Sequence, residues 1–569
     1  MQPPASFMDA YRPALRGHRH MTAAGHYLAA QAGFQVMEAG GNAIDAGVAA
    51  GIALGVVQSE LVGVAGVAPI IIYLARENRV VTISGLGVWP KATDPDLYAR
   101  QYADGVPQGI LRCIVPAAPD AWITALEEFG TMSFGEVAAA AIRLARDGFV
   151  MYPLMAELLE EKAEKYARWP ANAAIYLPGG RTPKVGELFR QQDLGASLQY
   201  MADQERAAGG DREAGLQAAR AAFYRGDIAR AIADYHADNG GLISMDDLAE
   251  FRVGIEPAQS VELSGTRVYG CGPWCQGPML LQALQLLRGR DLAALGHNSP
   301  AYIHLLTEAI KLAAADREHW YGDPRFVEVP IERLLSEDYA KRRAALIRDD
   351  VASPGMPPPG DLEVSVAPNR VPIEALDTSY CCAVDSEGNL FSATPSDTSS
   401  DAPVIPGTGF VPSSRGSQSR PDPDHPSSIQ PGKRPRLTPN PALAIRPGEW
   451  AMPFGTPGAD VQIQAMMQTL LNIAVFGLNP QAAVEAPRFA SYSFPQSFAP
   501  HAYHPGLLKM EGRIDRDTGS QLQAMGHDVD WWGEWEWQAG AMCAIRRDTA
   551  SGVLEAGADP RRACYALGW

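Results

Sequence analysis

Thr378 is the residue of this sequence whose type and position could support covalent chemistry. It lies in the stretch "EALDTSYCCAVDSEGNLFSATPS", which begins at Glu374 and follows a proline-rich run. A threonine inside a chain is a poor nucleophile, because no base is adjacent to its hydroxyl. A threonine at a chain terminus carries an α-amine with a reference pKa of roughly 7.7 to 8.0, which can accept the hydroxyl proton near neutral pH. Cleavage between Asp377 and Thr378 would create that arrangement.

The chain itself could make this cut. The Thr378 hydroxyl can attack the preceding carbonyl, shift the acyl group from nitrogen to oxygen, and let water release the ester. The hypothesis divides the sequence into a large part, residues 1–377, and a small part, residues 378–569. Residues 349–377 would form a proline-rich connector at the end of the large part, although such a run is also typical of an ordinary interdomain linker.

The residues after the proposed cut predict two strands joined by a tight turn. "SYCCAVD" and "NLFSATP" flank "SEG", which favours a hairpin. The returning strand carries Thr394 and Ser396, and a hairpin would bring that strand beside Thr378. Surface hydroxyls on a strand are the alternative interpretation of both residues.

Apolar periodicity predicts helices in the first two-thirds of the chain and strands mainly after Thr378. It indicates helices over residues 21–39 and 43–58, strands at "APIIIYLA" and "RVVTISGLG", and mostly helix between residues 116 and 345. Further on, "PALAI" is typical of a strand and "DVQIQAMMQTLLNIAVFG" of a helix. Periodicity alone leaves the fold class open between α/β and α+β.

Composition argues against nucleic-acid and membrane functions. The 569 residues are 46% hydrophobic and 20% charged, with a formal net charge of −17. Such an acidic balance argues against non-specific nucleic-acid binding. The most apolar region, residues 44–75, is interrupted by glycines and bounded by charged residues, which predicts buried structure rather than a membrane span. The first residues lack the apolar segment of a signal peptide, so a cytoplasmic location is the default expectation.

We expect no metal or cofactor site. His18, His20 and His26 lie close together in sequence, but no carboxylate or cysteine partner is evident. Cys271 and Cys275 are four positions apart, the wrong spacing for a CxxC redox or zinc motif. The glycine-rich "GVAGVAP" lacks the lysine of a phosphate-binding loop.

Several blocks along the chain together resemble one family. In chain order they read "AAQAGFQVMEAGGNAIDAGVAAGIALGVVQ", "DTSYCCAVDSEGN", "PGTGFVPSSRGS", "HPSSIQPGKRPRLTPNPALAI", "FGTPGADVQIQAMMQTLLNIAVFGLNPQAAVEAPRF" and "GADPRRA". Their order and spacing, over nearly the whole chain, resemble the γ-glutamyltranspeptidase family of N-terminal-nucleophile hydrolases. The resemblance implies an α+β fold of the four-layer αββα sandwich type. It also implies autoproteolysis of one precursor into large and small subunits, as one processed pair or a dimer of pairs.

The resemblance implies roles for individual residues. Thr378 aligns with the nucleophile, and Thr394 with a threonine that orients it. In "GTPGAD", Gly458 and Ala459 align with the pair whose backbone N–H groups stabilise an oxyanion. The family usually has two glycines there, but Ala459 retains its N–H. Ser396 occupies a further hydroxyl position, which we expect to face the substrate.

Three contacts that hold a glutamyl group in that family are absent here. The position of the arginine that binds the α-carboxylate is Leu86, in "SGLGVWP", so apolar surface replaces a bidentate clamp. The loop "PSSRGSQ" contains no acid for the α-amino group. Of two consecutive pocket serines after "KRP", one is Leu437 and the other is Thr438. Without these contacts a bound zwitterion would leave buried charge unpaired, so glutathione is not the expected substrate.

The blocks "SRGS" and "HPSSIQPGKRP" are more similar to the branch that contains oxamate amidohydrolase and cephalosporin acylase. Arg415 is the candidate to bind an anionic acyl group, with a surface arginine as the alternative interpretation. We therefore expect a hydrolase that cleaves a small-molecule amide through an acyl-enzyme, with acyl transfer as a side activity. Two alternatives stay open: a γ-glutamyl hydrolase or transpeptidase with altered contacts, and an unprocessed, non-catalytic scaffold.

Overall fold

Helices and strands alternate along the whole chain, for which the computed structural model describes residues 10–360, 362, 364–373 and 378–569. The α-helices are α1 (Tyr27–Glu38), α2 (Ala43–Val57), α3 (Pro95–Gln101), α4 (Ala118–Phe129), α5 (Phe134–Asp147), α6 (Pro153–Glu161), α7 (Ala163–Ala167), α8 (Pro170–Tyr176), α9 (Gln192–Ala208), α10 (Arg212–Tyr224), α11 (Asp227–Asp238), α12 (Met245–Glu250), α13 (Gly277–Leu286), α14 (Leu292–Leu295), α15 (Pro300–Trp320), α16 (Ile331–Leu334), α17 (Glu337–Ala344), α18 (Gln462–Ala474), α19 (Pro480–Glu485) and α20 (Arg516–Ala524). The strands are β1 (Leu15–Gly17), β2 (Met21–Ala24), β3 (Ile70–Leu74), β4 (Arg79–Ile83), β5 (Phe149–Val150), β6 (Leu188–Phe189), β7 (Ile255–Pro257), β8 (Gln259–Leu263), β9 (Thr266–Gly270), β10 (Cys381–Val384), β11 (Leu390–Ala393), β12 (Ala442–Arg446), β13 (Trp450–Gly455), β14 (Phe489–Ser491), β15 (Leu507–Met510), β16 (Asp528–Trp531), β17 (Cys543–Asp548), β18 (Leu554–Ala558) and β19 (Tyr565–Gly568).

Most of these strands form two seven-stranded sheets. The first sheet has the order β1-β18-β17-β13-β12-β9-β8, and the second has the order β19-β2-β10-β11-β3-β4-β7. Neighbouring strands are antiparallel in both sheets. Each sheet combines strands from before and after Thr378, for example β2 beside β10 and β9 beside β12. Strands are therefore more frequent in the first part of the chain than periodicity predicted.

A buried apolar cluster contains side chains from both sheets. Tyr380 and Cys382, on the strand that follows Thr378, belong to the same cluster as Cys543 and Ile545 of β17. The approach is close at the end of β13, where a Cβ on Gly455 would lie 2.3 Å from the ring of Tyr380. The strand that begins near Thr378 is thus fixed against the other sheet.

Helix α2 lies directly behind β10 and β11. It begins with a capping box, in which Asn42 and Asp45 each accept a hydrogen bond from the backbone N–H of the other. Gly47 faces β11, where a Cβ would lie 2.0 Å from the ring of Phe391, so the helix can approach this closely only with glycine. The predicted helix over residues 43–58 is confirmed as Ala43–Val57.

The predicted helix over residues 21–39 is wrong in its first part. Met21–Ala24 form β2, and α1 begins only at Tyr27, after His26 caps it. Strand β2 lies between β10 and β19, and all of its residues are buried. Pairing on both edges overrides the helical spacing of the apolar residues, as tertiary context often does.

The other predicted elements are confirmed, with bounds that differ from the predicted ones by a few residues. The two β-branched runs are β3 and β4, the hairpin is β10 and β11, and the last two elements are β12 and α18. The described part of the connector contains no helix or strand, and Asn369 forms an isolated bridge with Tyr503. No helix within the described ranges combines the length and the apolar character that crossing a bilayer requires.

Candidate active site

Thr378 lies at the start of the chain segment that continues into β10. Its side chain is buried, and its Oγ1 lies 2.7 Å from Oγ of Ser396. The two residues also form an isolated antiparallel bridge. Asp377, on the other side of the predicted cut, lies outside the described residues.

The residue after Thr378 is held from two sides. The N–H of Ser379 donates to the carbonyl of Pro395 at 3.0 Å, and its Oγ donates to Oε1 of Gln58 at 2.6 Å. Gln58 is the residue that ends α2. The helix behind the hairpin therefore also fixes the position of Thr378.

The hairpin places Ser396, rather than Thr394, against the Thr378 hydroxyl. The register pairs Cys381 with Ala393, and its continuation puts Thr378 opposite Ser396. Thr394 lies two residues nearer the turn, and its hydroxyl makes no hydrogen bond to the described part of the chain. Counting residues outward from the turn predicts this pairing, whereas residue type alone does not distinguish Ser396 from Thr394.

Arg415 brings a buried positive charge to Ser396. Its Nη2 donates to Oγ of Ser396, and its Nε lies 3.4 Å from Oδ1 of Asp397. Its guanidinium carbon also lies 5.0 Å from the ring centre of Phe498, within the range of a cation–π contact. Thr378, Ser396 and Arg415 thus form a continuous chain of contacts.

The loop that carries Arg415 also holds Asp397. Oδ2 of Asp397 accepts from Oγ of Ser413 at 2.6 Å, and Oδ1 accepts from the N–H and Oγ of Ser414 at 3.1 and 3.0 Å. Burial raises the pKa of Asp397, while Arg415 and these hydrogen bonds oppose the rise. The φ angle of Asp397 is 116°, which is uncommon outside glycine. Strained backbone of this kind tends to occur at functional sites.

Gly458 and Ala459 form the turn between β13 and α18. Both have positive φ angles, 125° and 48°. The carbonyl of Ala459 accepts from Nε2 of Gln276 at 3.0 Å, and the neighbouring Asp460 accepts from the N–H of Ser497 at 2.7 Å. Neither N–H of the pair donates a hydrogen bond within the described ranges. The turn therefore offers two fixed backbone donors.

Thr438 connects this turn to the Arg415 loop. Nε2 of Gln276 donates to the carbonyl of Thr438 at 2.9 Å, in addition to that of Ala459. Gln418, three residues after Arg415, donates to Oγ1 of Thr438 at 2.8 Å. Gln276 therefore joins Thr438 to Ala459, and Gln418 joins Thr438 to the loop that carries Arg415.

Leu86 is buried among apolar side chains. This leucine–tryptophan cluster includes Leu86, Trp89, Trp274 and Leu437. Val67, in the same group, accepts from the N–H of Ser396 at 3.0 Å. On the other side, a Cβ on Gly416 would lie 2.8 Å from the ring of Trp89. The cluster therefore reaches both the Ser396 strand and the Arg415 loop.

A cavity of about 450 Å³ lies beside the chain segment that follows the Arg415 loop. Its lining includes Glu318, Arg420, His425 and connector residues 364–367. Thr378 does not line the cavity and is only 1% exposed. In the unbroken chain its hydroxyl is thus closed to solvent.

His304, Glu308 and His527 are the one group in the described ranges that could hold a metal ion. None of the three histidines near the N-terminus belongs to it. Their surroundings differ: His20 pairs with Glu38 at 2.8 Å, and His26 caps α1.

Comparison with known proteins identifies the family of this chain. A family model described as "Gamma-glutamyltranspeptidase" matches residues 29–569. The chain belongs to the γ-glutamyltranspeptidase family. The "Acylase ACY 1 proenzyme" of Pseudomonas sp. (strain V22) is 34% identical over 540 residues, which cover 92% of this chain and 89% of that protein.

Two further members are similar over almost their full lengths. The "Glutathione hydrolase-like YwrD proenzyme" of Bacillus subtilis (strain 168) is 30% identical over 556 residues, 97% of this chain and 99% of that protein. The crystal structure of cephalosporin acylase from Bacillus halodurans superposes with a TM-score of 0.86 at 28% identity, covering 100% of this chain and 99% of that one. Family membership confirms the resemblance that the sequence blocks carried.

Proposed function

We propose that this family member is a self-processing amidohydrolase with an N-terminal threonine nucleophile. The observation that carries the proposal is the chain of contacts at Thr378. A buried hydroxyl lies 2.7 Å from the hydroxyl of Ser396, which accepts in turn from the Arg415 guanidinium. The relatives named as proenzymes support a precursor that is cut. Residues 1–377 then form the large subunit and residues 378–569 the small one, with both sheets shared between them.

Maturation begins when Oγ1 of Thr378 attacks the carbonyl carbon of Asp377. The new C–O bond forms, the C–N bond breaks, and the released nitrogen becomes an α-amine that takes up the hydroxyl proton. Water then hydrolyses the ester, which frees the Asp377 carboxylate and restores the Thr378 hydroxyl. The connector ends in that carboxylate.

In the mature enzyme the α-amine of Thr378 accepts the proton of its own hydroxyl. The oxygen attacks the substrate amide, and the N–H groups of Gly458 and Ala459 donate to the developing oxyanion. The ammonium returns its proton to the leaving amine. The acyl group stays on Thr378 as an ester until water releases it. An amine in place of that water gives acyl transfer.

Ser396 and Arg415 position the nucleophile in this proposal. Ser396 orients Oγ1 of Thr378, the part that the sequence resemblance gave to Thr394. Arg415 fixes Ser396, and its positive charge disfavours protonation of the α-amine, which keeps the amine in the free-base form that can accept a proton. Because Asp397 already pairs with Arg415, we assign Arg415 to positioning rather than to binding an anionic acyl group.

We further infer that the two sheets and their helices build the four-layer αββα sandwich. The cluster that contains Cys382 and Cys543 supports sheet-on-sheet packing. Helix α2 packs on β10 and β11, and α13 packs on β8 and β9, which supports one helical layer outside each sheet.

The acyl group of the substrate is proposed to lack a glutamyl head. Leu86 and Leu437 stand where charged and polar contacts are expected, and both are buried in the leucine–tryptophan cluster. The hydroxyl of Thr438 is engaged by Gln418. These residue types in place of the polar contacts favour an apolar or small neutral acyl chain on a small-molecule amide. Assembly as a dimer of pairs and a cytoplasmic location stay predictions.

A γ-glutamyl substrate is the second candidate, because one relative is named glutathione hydrolase-like. We expect the processed protein to release p-nitroaniline from butyryl or phenylacetyl p-nitroanilide at least about tenfold more efficiently than from γ-glutamyl p-nitroanilide. The reason is that each missing charge-assisted hydrogen bond is worth about 1.5–3 kcal/mol. Thr378→Ala serves as the blank.

Two other outcomes of this assay would contradict the proposed substrate or the proposed activity. Faster turnover of the γ-glutamyl anilide would establish a γ-glutamyl hydrolase with altered contacts. An uncut chain that turns over none of the three anilides would establish the non-catalytic scaffold.

A further inference from the structure

A cluster of three buried ligand-bearing side chains lies outside the proposed active site. His304 and Glu308 are four residues apart on α15, which places them on one face of that helix. His527 directly precedes β16. All three are at least 95% buried, and one potential ligand atom from each lies within 4.8 Å of the other two. Two imidazoles and a carboxylate are a ligand set that first-row divalent ions accept.

The hydrogen bonds of His304 leave a lone pair directed into the cluster. Its Nε2 lies 2.6 Å from the carbonyl oxygen of Arg348. Because a carbonyl only accepts, Nε2 carries the proton, and Nδ1 of the neutral ring holds a lone pair. That Nδ1 accepts from Nε2–H of His527 at 2.9 Å, and the other tautomer of His527 would present a second lone pair at the same point. An imidazole fixed through its other N–H by a backbone carbonyl is the arrangement usually found in metal-binding histidines.

Glu308 supplies the negative charge. Its Oε2 accepts from the N–H of Ser353 at 3.2 Å, and its Oε1 lies 2.5 Å from Nζ of Lys311. Lys311 also donates to the carbonyl of Ser353 at 2.8 Å. The Lys311 side chain is therefore the group that competes with an ion for Glu308.

We propose that His304, Glu308 and His527 bind one first-row divalent ion, with Zn²⁺ as the best fit. Two nitrogens at about 2.0–2.1 Å from a tetrahedral zinc are about 3.3 Å apart. The 2.9 Å distance between Nδ1 of His304 and Nε2 of His527 therefore needs to widen by only a few tenths of an ångström. Three protein ligands leave the fourth position for water.

The ion would join three separate parts of the chain. His304 and Glu308 belong to α15, while Arg348 directly precedes the connector and Ser353 lies near its start. His527 follows α20, whose end already accepts from the connector through the 2.7 Å bond between the N–H of Ala352 and the carbonyl of Met525. The role of the ion is thus to hold the start of the connector in place. Binding of the ion does not depend on the proposed reaction at Thr378.

The test measures zinc binding to the full-length protein after dialysis against EDTA. We expect one Zn²⁺ per wild-type chain in competition with a chromophoric chelator. His304→Gln and His527→Gln should each weaken binding by more than the 10–100-fold that loss of an outer partner costs. Lys311→Met removes the competing ammonium and should tighten binding. His297→Gln, a histidine outside the cluster, should bind as the wild type does.

Two further readouts separate a site from a folding defect. Each variant is first shown to melt cooperatively without metal, and zinc should raise the melting temperature of the wild type but not of His304→Gln. Co²⁺ added to the wild-type protein should give the visible absorption of a tetrahedral ion, a readout that needs no variant. Equal zinc binding by wild type and His304→Gln, or no binding by either, would overturn the proposal and leave a hydrogen-bonded structural cluster.

Discussion

Replacing Thr378 by alanine is expected to leave one uncut chain and to abolish amide hydrolysis. Both reactions use the same oxygen, first on the carbonyl of Asp377 and then on the substrate. Loss of a covalent nucleophile lowers the turnover rate by at least about 10⁴-fold. Denaturing mass spectrometry measures the cut, and p-nitroanilide release measures turnover.

Two variants control for this substitution. Thr378→Ser keeps a hydroxyl and an α-amine, so it should still be cut and still turn over substrate, more slowly. Thr469→Ala removes another buried threonine hydroxyl, on α18, that makes no hydrogen bond to the described residues. It should behave as the wild type. Cleavage between residues 377 and 378 in Thr378→Ala would show that the Thr378 hydroxyl does not make the cut.

Replacing Arg415 by methionine is expected to slow both processing and turnover, with kcat lower by about 10²–10³-fold, the usual cost of one preorganised electrostatic group. The substitution frees Oγ of Ser396 from its donor and leaves Asp397 as an unpaired buried acid. Turnover is measured on protein whose processing has run to completion, with neutral and glutaryl anilides in parallel.

The comparison of substrates separates positioning from substrate binding. A positioning residue lowers kcat for both anilides to a similar extent, and Arg415→Lys recovers part of it. A residue that binds an anionic acyl group raises KM for the glutaryl anilide alone, which would contradict the assignment. Arg220→Met is the matched control, because Arg220 forms an equally buried pair with Asp120 on helices α10 and α4. It should cost about 3–5 kcal/mol of stability while kcat of the folded enzyme stays unchanged.

Much of this fold follows from local sequence patterns. Apolar spacing predicts the helix over residues 43–58, which the structure shows as α2 after its capping residue Asn42, and the "SEG" turn predicts the hairpin of β10 and β11. These elements agree with the structure because the local propensity and the tertiary role coincide. Apolar spacing places Met21–Ala24 in a helix, since nothing local indicates that two distant strands, β10 and β19, pair with them.

The candidate site is only partly readable from residue types. Thr378 is identified by its motif and by its place after the proline-rich run. Its partnership with Ser396 depends on strand register, and the contact with Arg415 depends on a loop 19 residues further along the chain. The cluster of His304 and His527 could not be predicted, because 223 residues separate the two histidines.

The most direct measurement of the central claim is the intact mass of the purified wild-type protein, with N-terminal sequencing of its fragments. We expect two chains, residues 1–377 and 378–569, and a small chain whose first residues are Thr378, Ser379 and Tyr380. One mass for residues 1–569, under conditions in which the protein hydrolyses an amide, would contradict it, because Thr378 would then have no free α-amine.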